Sequence, residues 1–236
     1  AVDWGVWRDV GMVATGLGGG LRRDGGAAAL GLRGERRERD DGVEFAATWN
    51  AATHWPLAEH RLQDGRAVLP GTGHLELCLS AARAASGATS IELCDLELRA
   101  PLAFVGDESR RVYVVVRDGG GELQLAVESA SADGRARTEH ARAVARPGAG
   151  AGDFVHLDAW WQQARRAAPA VGCQRAFVQF GPRWESEVRS GYGDAEVTAE
   201  LRLPPEFAAD LAEHPVHPAL VDAAILAVVP LLPGAD

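Results

Sequence analysis

The chain has 236 residues, 47% of them hydrophobic, which is enough for one good-sized domain or two small ones sharing a core. Its formal net charge is -9, and all of its basic residues are arginine, so the basic footprint of a nucleic-acid binder is missing. Cys78, Cys94 and Cys173 form an odd, widely spaced set. Such a set fits a reducing cytoplasm and argues against a disulfide framework or a zinc ribbon.

In chain order, residues 1–13 read as a short ordered piece, with neither the basic region nor the apolar stretch of a signal peptide. Residues 14–42 are rich in Gly, Ala and Arg with little periodicity, so most of this stretch reads as linker, and "ERRERDD" as a solvated charge run. "GLGGG" at 16–20 is no dinucleotide fingerprint, because no strand precedes it and no helix follows. From Val43, "VEFAATW" alternates apolar and polar residues as a strand does. His60 then stands before a Gly-containing turn and an apolar run ending at Pro70 and Gly71. Beyond these, Leu75, Cys78, Leu79 and Ala82 fall on one face of a predicted helix.

Strands dominate next: "SIELCDLELRAPLAF", "RRVYVVVRD", "GELQLAVESA" and "RARTEHARAVA", with "DGGGE" as a hairpin turn. "GAGAGD" at 148–153 reads as a joint, and "DAWWQQARRAA" as a helix with Asp158 at its N-cap. "WESEVRSGYGDAEVTAELRLP" predicts a hairpin turning at Gly191–Asp194. "HPALVDAAILAVV" predicts a second apolar helix with Pro218 in its first turn. Strand, loop, apolar helix and antiparallel strands thus occur twice. The second copy stops early, so either the chain is truncated or its remaining strands come from elsewhere. No apolar run reaches the roughly 20 residues of a membrane-spanning helix.

These pieces carry a resemblance. "HRLQDGRAVLP" is similar to the first motif of polyketide synthase dehydratase domains: His, three residues, Gly, four residues, Pro. Here it falls on His60, Gly65 and Pro70, with one extra residue before Gly65, and "GTGHLEL" follows as is typical. "HPALVDAAIL" resembles the second motif and places its aspartate at Asp222, but Leu226 stands at i+4 where the family has Gln or His. "FGPRW" resembles the Tyr-Gly-Pro motif, with Phe180 in place of the tyrosine before Gly181 and Pro182. "VDWGVWRDVGM" is similar to the closing segment of a polyketide ketoreductase, a remnant without the cofactor-binding part.

The resemblance implies an α+β double hotdog, two antiparallel sheets each wrapped on an apolar helix. Residues 1–28 would be a ketoreductase-like tail and linker, 29–147 the first hotdog, and 148–236 an incomplete second one. It implies dehydration of a 3-hydroxyacyl thioester on an acyl carrier protein to the 2,3-enoyl thioester, with His60 and Asp222 facing each other across a narrow apolar tunnel. Gly65, Pro70, Gly71, Phe180, Gly181, Pro182 and Leu226 would lie against the substrate. No metal or other cofactor is implied, since the acyl group rides on the carrier's phosphopantetheine arm. The partners would be the carrier protein, neighbouring synthase domains and often a second copy, in the cytoplasm and without nucleic acid or membrane.

The chemistry suits these residue types. An imidazole, with an ordinary pKa of about 6.5, is a base near working pH. The start of the helix after Pro70 offers N–H groups and a dipole to a thioester oxygen, and Gly71 and Gly73 would let substrate approach the backbone. Asp222 can act as an acid if its apolar neighbours keep it protonated, or it can stay ionised and position the hydroxyl or a water. Leucine at 226 cannot orient that acid, and Phe180 lacks a hydroxyl able to hold His60 or substrate. Reduced rate or altered substrate preference is the expected consequence. A lone histidine beside an apolar helix is more often structural, and a lone helix aspartate is more often satisfied by solvent. The joint pattern is what favours catalysis. His54, His74, His140 and His156 read as surface or packing residues, Trp160 and Trp161 as packing, and Pro215 and Pro218 break any ligand pair of His214 and His217. The rival readings are a double-bond isomerase or cyclase of the same fold and an inactive scaffold domain.

Overall fold

The computed structural model describes residues 35–131, 134–148, 161, 166–167, 177–193, 196–214 and 216–231. The ketoreductase-like tail, the Gly-rich stretch before residue 35, His156, Trp160 and Cys173 lie outside them. The chain divides into two compact units, one carrying the described residues up to 148 and the other those from 161 onward.

The first unit is a curved antiparallel sheet around one helix. Its strands are β1 (Glu35–Arg39), β2 (Gly42–Asn50), β5 (Ile91–Leu98), β7 (Ser109–Asp118), β8 (Leu123–Ala130) and β9 (Arg137–Pro147), in the spatial order β1-β2-β7-β8-β9-β5. The short α1 (Trp55–Ala58), β3 (His60–Leu62), β4 (Ala67–Val68), helix α2 (Gly71–Ser86) and β6 (Ala103–Phe104) complete it. Strand alternation explains the core: Val43, Phe45, Ala47 and Trp49 of β2 share one face with Val112, Val114 and Val116 of β7 and Leu125 and Val127 of β8. Against that face lie Leu77, Cys78, Ala81 and Ala82 of α2. Ala141, Ala143 and Ala145 on β9 keep the sheet surface low where the helix crosses it. Each large side chain fully buried here, Trp49, Phe104 and Leu77 among them, contributes about 1.5–3 kcal/mol. Burial also pushes the Cys78 thiol up to about 12, so it is an inert packing group.

Two expectations change. "ERRER" is strand β1 and not linker: all five residues are exposed, but the strand pairs with β2 from Glu35↔Ala46 to Arg39↔Gly42. Its stability comes from backbone pairing and from ion pairs such as Arg111–Glu35 at 2.6 Å, and its charges suit a sheet edge. Helix α2 buries Cys78 and Ala82 of the predicted face, but Leu75 and Leu79 are only half-buried, and His74, Leu77 and Ala81 turn inward in their place. Of the predicted packing histidines, His74 and His140 are buried, and half-buried His54 stacks on Trp49 at 5.1 Å.

The second unit has β10 (Arg166–Ala167), β12 (Glu187–Tyr192) and β13 (Val197–Arg202) as an antiparallel sheet in that order. β11 (Val178–Phe180), a 3-10 turn at Pro182–Trp184, α3 (Asp210–Glu213) and α4 (Pro218–Val228) complete its regular elements. The predicted β12–β13 hairpin is present, with Gly193 N–H donating to the Glu196 carbonyl at 2.9 Å. The helix predicted at "DAWWQQARRAA" does not extend through Arg166–Ala167, which pair with Tyr192 and Gly191 as strand; most of the rest lies outside the described residues. Trp161 does pack, under the Arg189 guanidinium at 4.6 Å.

Pro218 opens α4, where its missing N–H costs nothing. α4 packs on β13, and the buried Tyr192 hydroxyl donates to the Ala227 carbonyl at 2.8 Å. That carbonyl lies in the last turn of α4 and has no intrahelical partner. Tyr192→Phe is therefore expected to cost about 1 kcal/mol, read as a lower urea midpoint for this unit. No described helix is long and apolar enough to cross a membrane.

Candidate active site

His60 opens β3, and β4 returns beside it with Arg61 paired to Ala67. The intervening turn absorbs the extra residue of the motif: Leu62 N–H donates to the Arg66 carbonyl and Gly65 N–H to the Leu62 carbonyl, both at 2.9 Å. Gly65 has φ of +86°, a left-handed conformation that glycine adopts without strain. The hairpin brings the Val68 carbonyl to 2.8 Å from His60 Nδ1. A carbonyl only accepts, so Nδ1 carries the proton and Nε2 holds the lone pair of the neutral ring.

Two residues beyond Val68, Pro70 caps α2 in an extended conformation, φ -63° and ψ 156°. Its carbonyl accepts from Gly73 N–H at 2.9 Å and His74 N–H at 3.3 Å. Gly71 is half-buried at the first position of the helix. Gly73 does not serve substrate approach. It is buried, and a Cβ there would lie 2.6 Å from Leu69 Cδ1, so this glycine is a packing requirement.

In the second unit, Phe180 ends β11, Gly181 caps the 3-10 turn, and Pro182 begins it. The turn ends at Trp184, whose ring stacks on Phe180 with centroids 5.9 Å apart and planes at 23°. Trp184 Nε1 donates to Asp222 Oδ2 at 3.0 Å. Asp222 is half-buried in the second turn of α4, and Leu226 follows one turn later, also half-buried. Trp184 was absent from the sequence-derived site; the only signal was its place two residues past Pro182 in "FGPRW".

A buried polar group supports the start of α4. Arg183 Nε donates to Asp210 Oδ2 at 2.7 Å, and the guanidinium covers the Phe207 ring at 4.2 Å. His217, at the N-cap of α4, places Nε2 3.7 Å from the same carboxylate oxygen and meets the His214 ring edge-on at 5.8 Å. Burial pushes His217 down to about 4; His214 acts in the same direction and Asp210 pulls against it. His217 is thus neutral at neutral pH, beside the Arg183–Asp210 ion pair.

The sequence matches the polyketide synthase dehydratase domain model over residues 30–131 and the polyketide synthase dehydratase N-terminal domain model over residues 155–236. Polyketide synthase GfsA of Streptomyces halstedii is 31% identical over 229 residues, which is 92% of this chain and 3% of that protein. The chain thus spans only a small fraction of such relatives, 10% in the case of the spectinabilin synthase protein NorA of Streptomyces orinoci. Among solved structures, the dehydratase domain from the CurF module of curacin polyketide synthase superposes with a TM-score of 0.77 at 21% identity, covering 88% of this chain and 78% of that one. The CurK dehydratase was solved in an aspartate-to-asparagine form and a histidine-to-phenylalanine form, both described as inactive, with TM-scores of 0.75 and 0.71 at 16% identity. They cover 87% and 84% of this chain and 77% and 73% of those chains. With the antiparallel sheets and central helices described above, these matches lead to one conclusion: the chain belongs to the polyketide synthase dehydratase domains, double-hotdog hydro-lyases that remove water from 3-hydroxyacyl thioesters.

Proposed function

We propose that this domain removes water from a 3-hydroxyacyl group held on the phosphopantetheine arm of an acyl carrier protein, with His60 as base and Asp222 as acid. The reading rests above all on the hydrogen bond from His60 Nδ1–H to the Val68 carbonyl, which leaves Nε2 as the basic nitrogen. Nε2 takes the proton from C2. The electron pair of the broken C–H bond becomes the C2–C3 double bond as the C3–O bond breaks, and Asp222 gives its proton to the departing hydroxyl, which leaves as water. Return of the proton from His60 to Asp222 resets both groups.

The Gly71 N–H opens α2 three residues after Val68, whose carbonyl holds His60, so it is suited to polarise the thioester carbonyl as charge builds on its oxygen. Gly65 shapes the turn, Pro70 and Gly71 set the helix start, and Phe180, Gly181, Pro182 and Leu226 would lie against the substrate. In this scheme the domain needs no metal or other cofactor. Its partners are the carrier protein and adjacent synthase domains, with a second copy as a further partner, in the cytoplasm. That a related domain is inactive with one aspartate changed to asparagine supports the role given to Asp222.

The test is mass spectrometry of a carrier protein loaded with each 3-hydroxyacyl stereoisomer. Loss of one water from one isomer is expected with the unaltered domain, and none with Asp222→Asn. A folded unaltered domain that leaves both isomers intact would overturn the proposal and favour the inactive scaffold. An isomerised or cyclised product would point to the other rival.

A further inference from the structure

On that reading of Asp222, we infer that Trp184 is the positioning residue of the catalytic acid. Its indole N–H takes the place, from the side, of a donor that α4 itself does not supply. The position on α4 one turn beyond Asp222 faces the same way and would be the natural seat for such a donor. It is occupied by Leu226, which has none. Instead Trp184 Nε1 donates to Asp222 Oδ2 at 3.0 Å from the 3-10 turn packed against α4. The indole is held from two directions. Its backbone N–H donates to the Gly181 carbonyl at 3.0 Å, and its ring stacks on Phe180.

Two consequences follow from the chemistry. An indole only donates, so it cannot take the acid's proton or exchange roles with it. In a neutral carboxyl group the carbonyl-type oxygen is the better acceptor. The bond therefore assigns that role to Oδ2 and the transferable proton to Oδ1. One rotamer and one protonated oxygen are selected before substrate arrives, which acts on the transition state more than on binding. The stack also gives Phe180 a purpose that requires a flat apolar ring and no hydroxyl.

The test is steady-state dehydration by Trp184→Phe, which keeps a stacking ring but removes the N–H. kcat should fall about ten- to a hundredfold, as for loss of a hydrogen bond to a charged or proton-transferring group, with KM within about twofold. Adding Leu226→Gln, which puts an amide within reach of the same carboxyl, should restore most of the lost kcat. If Trp184→Phe does not fold, benzothienylalanine at position 184 keeps the indole shape while replacing N–H by sulfur, and the same fall is expected. An unchanged kcat in the folded variant, or a fall in kcat that the glutamine does not rescue, would overturn the inference. Activity in the unaltered domain and its loss in Asp222→Asn are read in the same assay. Failure of the dehydratase reading is thereby distinguished from failure of the role given to Trp184.

Discussion

His60→Ala is expected to lower the dehydration rate about a thousandfold, within the range for losing a positioned general base, while leaving the thermal midpoint of the first unit within a few degrees. The asymmetry follows from the site. The His60 ring is half-buried, so its removal opens no deep core cavity. The bond from Nδ1–H to the Val68 carbonyl, at 2.8 Å, belongs to a hairpin that backbone bonds also close. The lost lone pair on Nε2 has no substitute on β3 or β4, whose other residues are Arg61, Leu62, Ala67 and Val68. Single-turnover loss of water from a carrier-bound substrate measures the chemical step directly. A folded His60→Ala domain dehydrating at the original rate would remove His60 from the mechanism.

Acid should begin to destabilise the first unit before its carboxylates are neutralised. His74 lies inside the core with Nδ1 buried and without a hydrogen-bond partner among the described residues. Burial, with His140 adding to it, pushes its pKa down to about 3. The sign follows from linkage. Below an unfolded value of about 6.5 the unfolded chain takes up a proton that the native state refuses. Stability is therefore fully present above about pH 6.5 and is lost as pH falls from there toward 3, at up to about 1.4 kcal/mol per pH unit for this residue alone. His140, also held low by burial, adds to the slope.

Glu44 extends the loss to lower pH. Its burial alone would raise it, but the hydrogen bond and charge of Arg137, with Arg39 and Arg37, hold it below its ordinary value. Its contribution is present above that value and is lost as pH falls toward the depressed one. Urea midpoints of the first unit should thus fall steeply on going from about pH 7 to about pH 5. His74→Leu should flatten that slope at little cost near neutrality, since it replaces an unsatisfied buried nitrogen by apolar atoms. An unchanged slope in that variant would show that the proton is taken up elsewhere.

Local pattern accounts for what was legible. The alternation of β2, the apolar stretches of β7 and β8, the turn at "DGGGE", and the punctuation of α2 and α4 by Pro70 and Pro218 are properties of neighbouring residues, and they place the elements within a few positions. The candidate pair, His60 and Asp222, stood out through the resemblance to the two family motifs, whose Gly and Pro residues also shape the turn and the helix starts seen in the structure. β1 was not legible, because a charged segment with no apolar face is strand only by virtue of the partner that takes its backbone bonds. The packing of α2 that buries His74 in place of Leu75 was not legible either. Shape matching against the sheet sets it, and the helix's own periodicity is compatible with both faces.

By itself, then, the sequence determined the longer strands of the first sheet, the β12–β13 hairpin, the two apolar helices and the two motifs, because each rests on residues a few positions apart. Tertiary structure alone decided which nitrogen of His60 carries the proton, through a carbonyl eight residues on, and which group holds Asp222, through an indole 38 residues away. Hydrogen bonds act over about 3 Å of space, and only the folded chain brings such separated groups within that range.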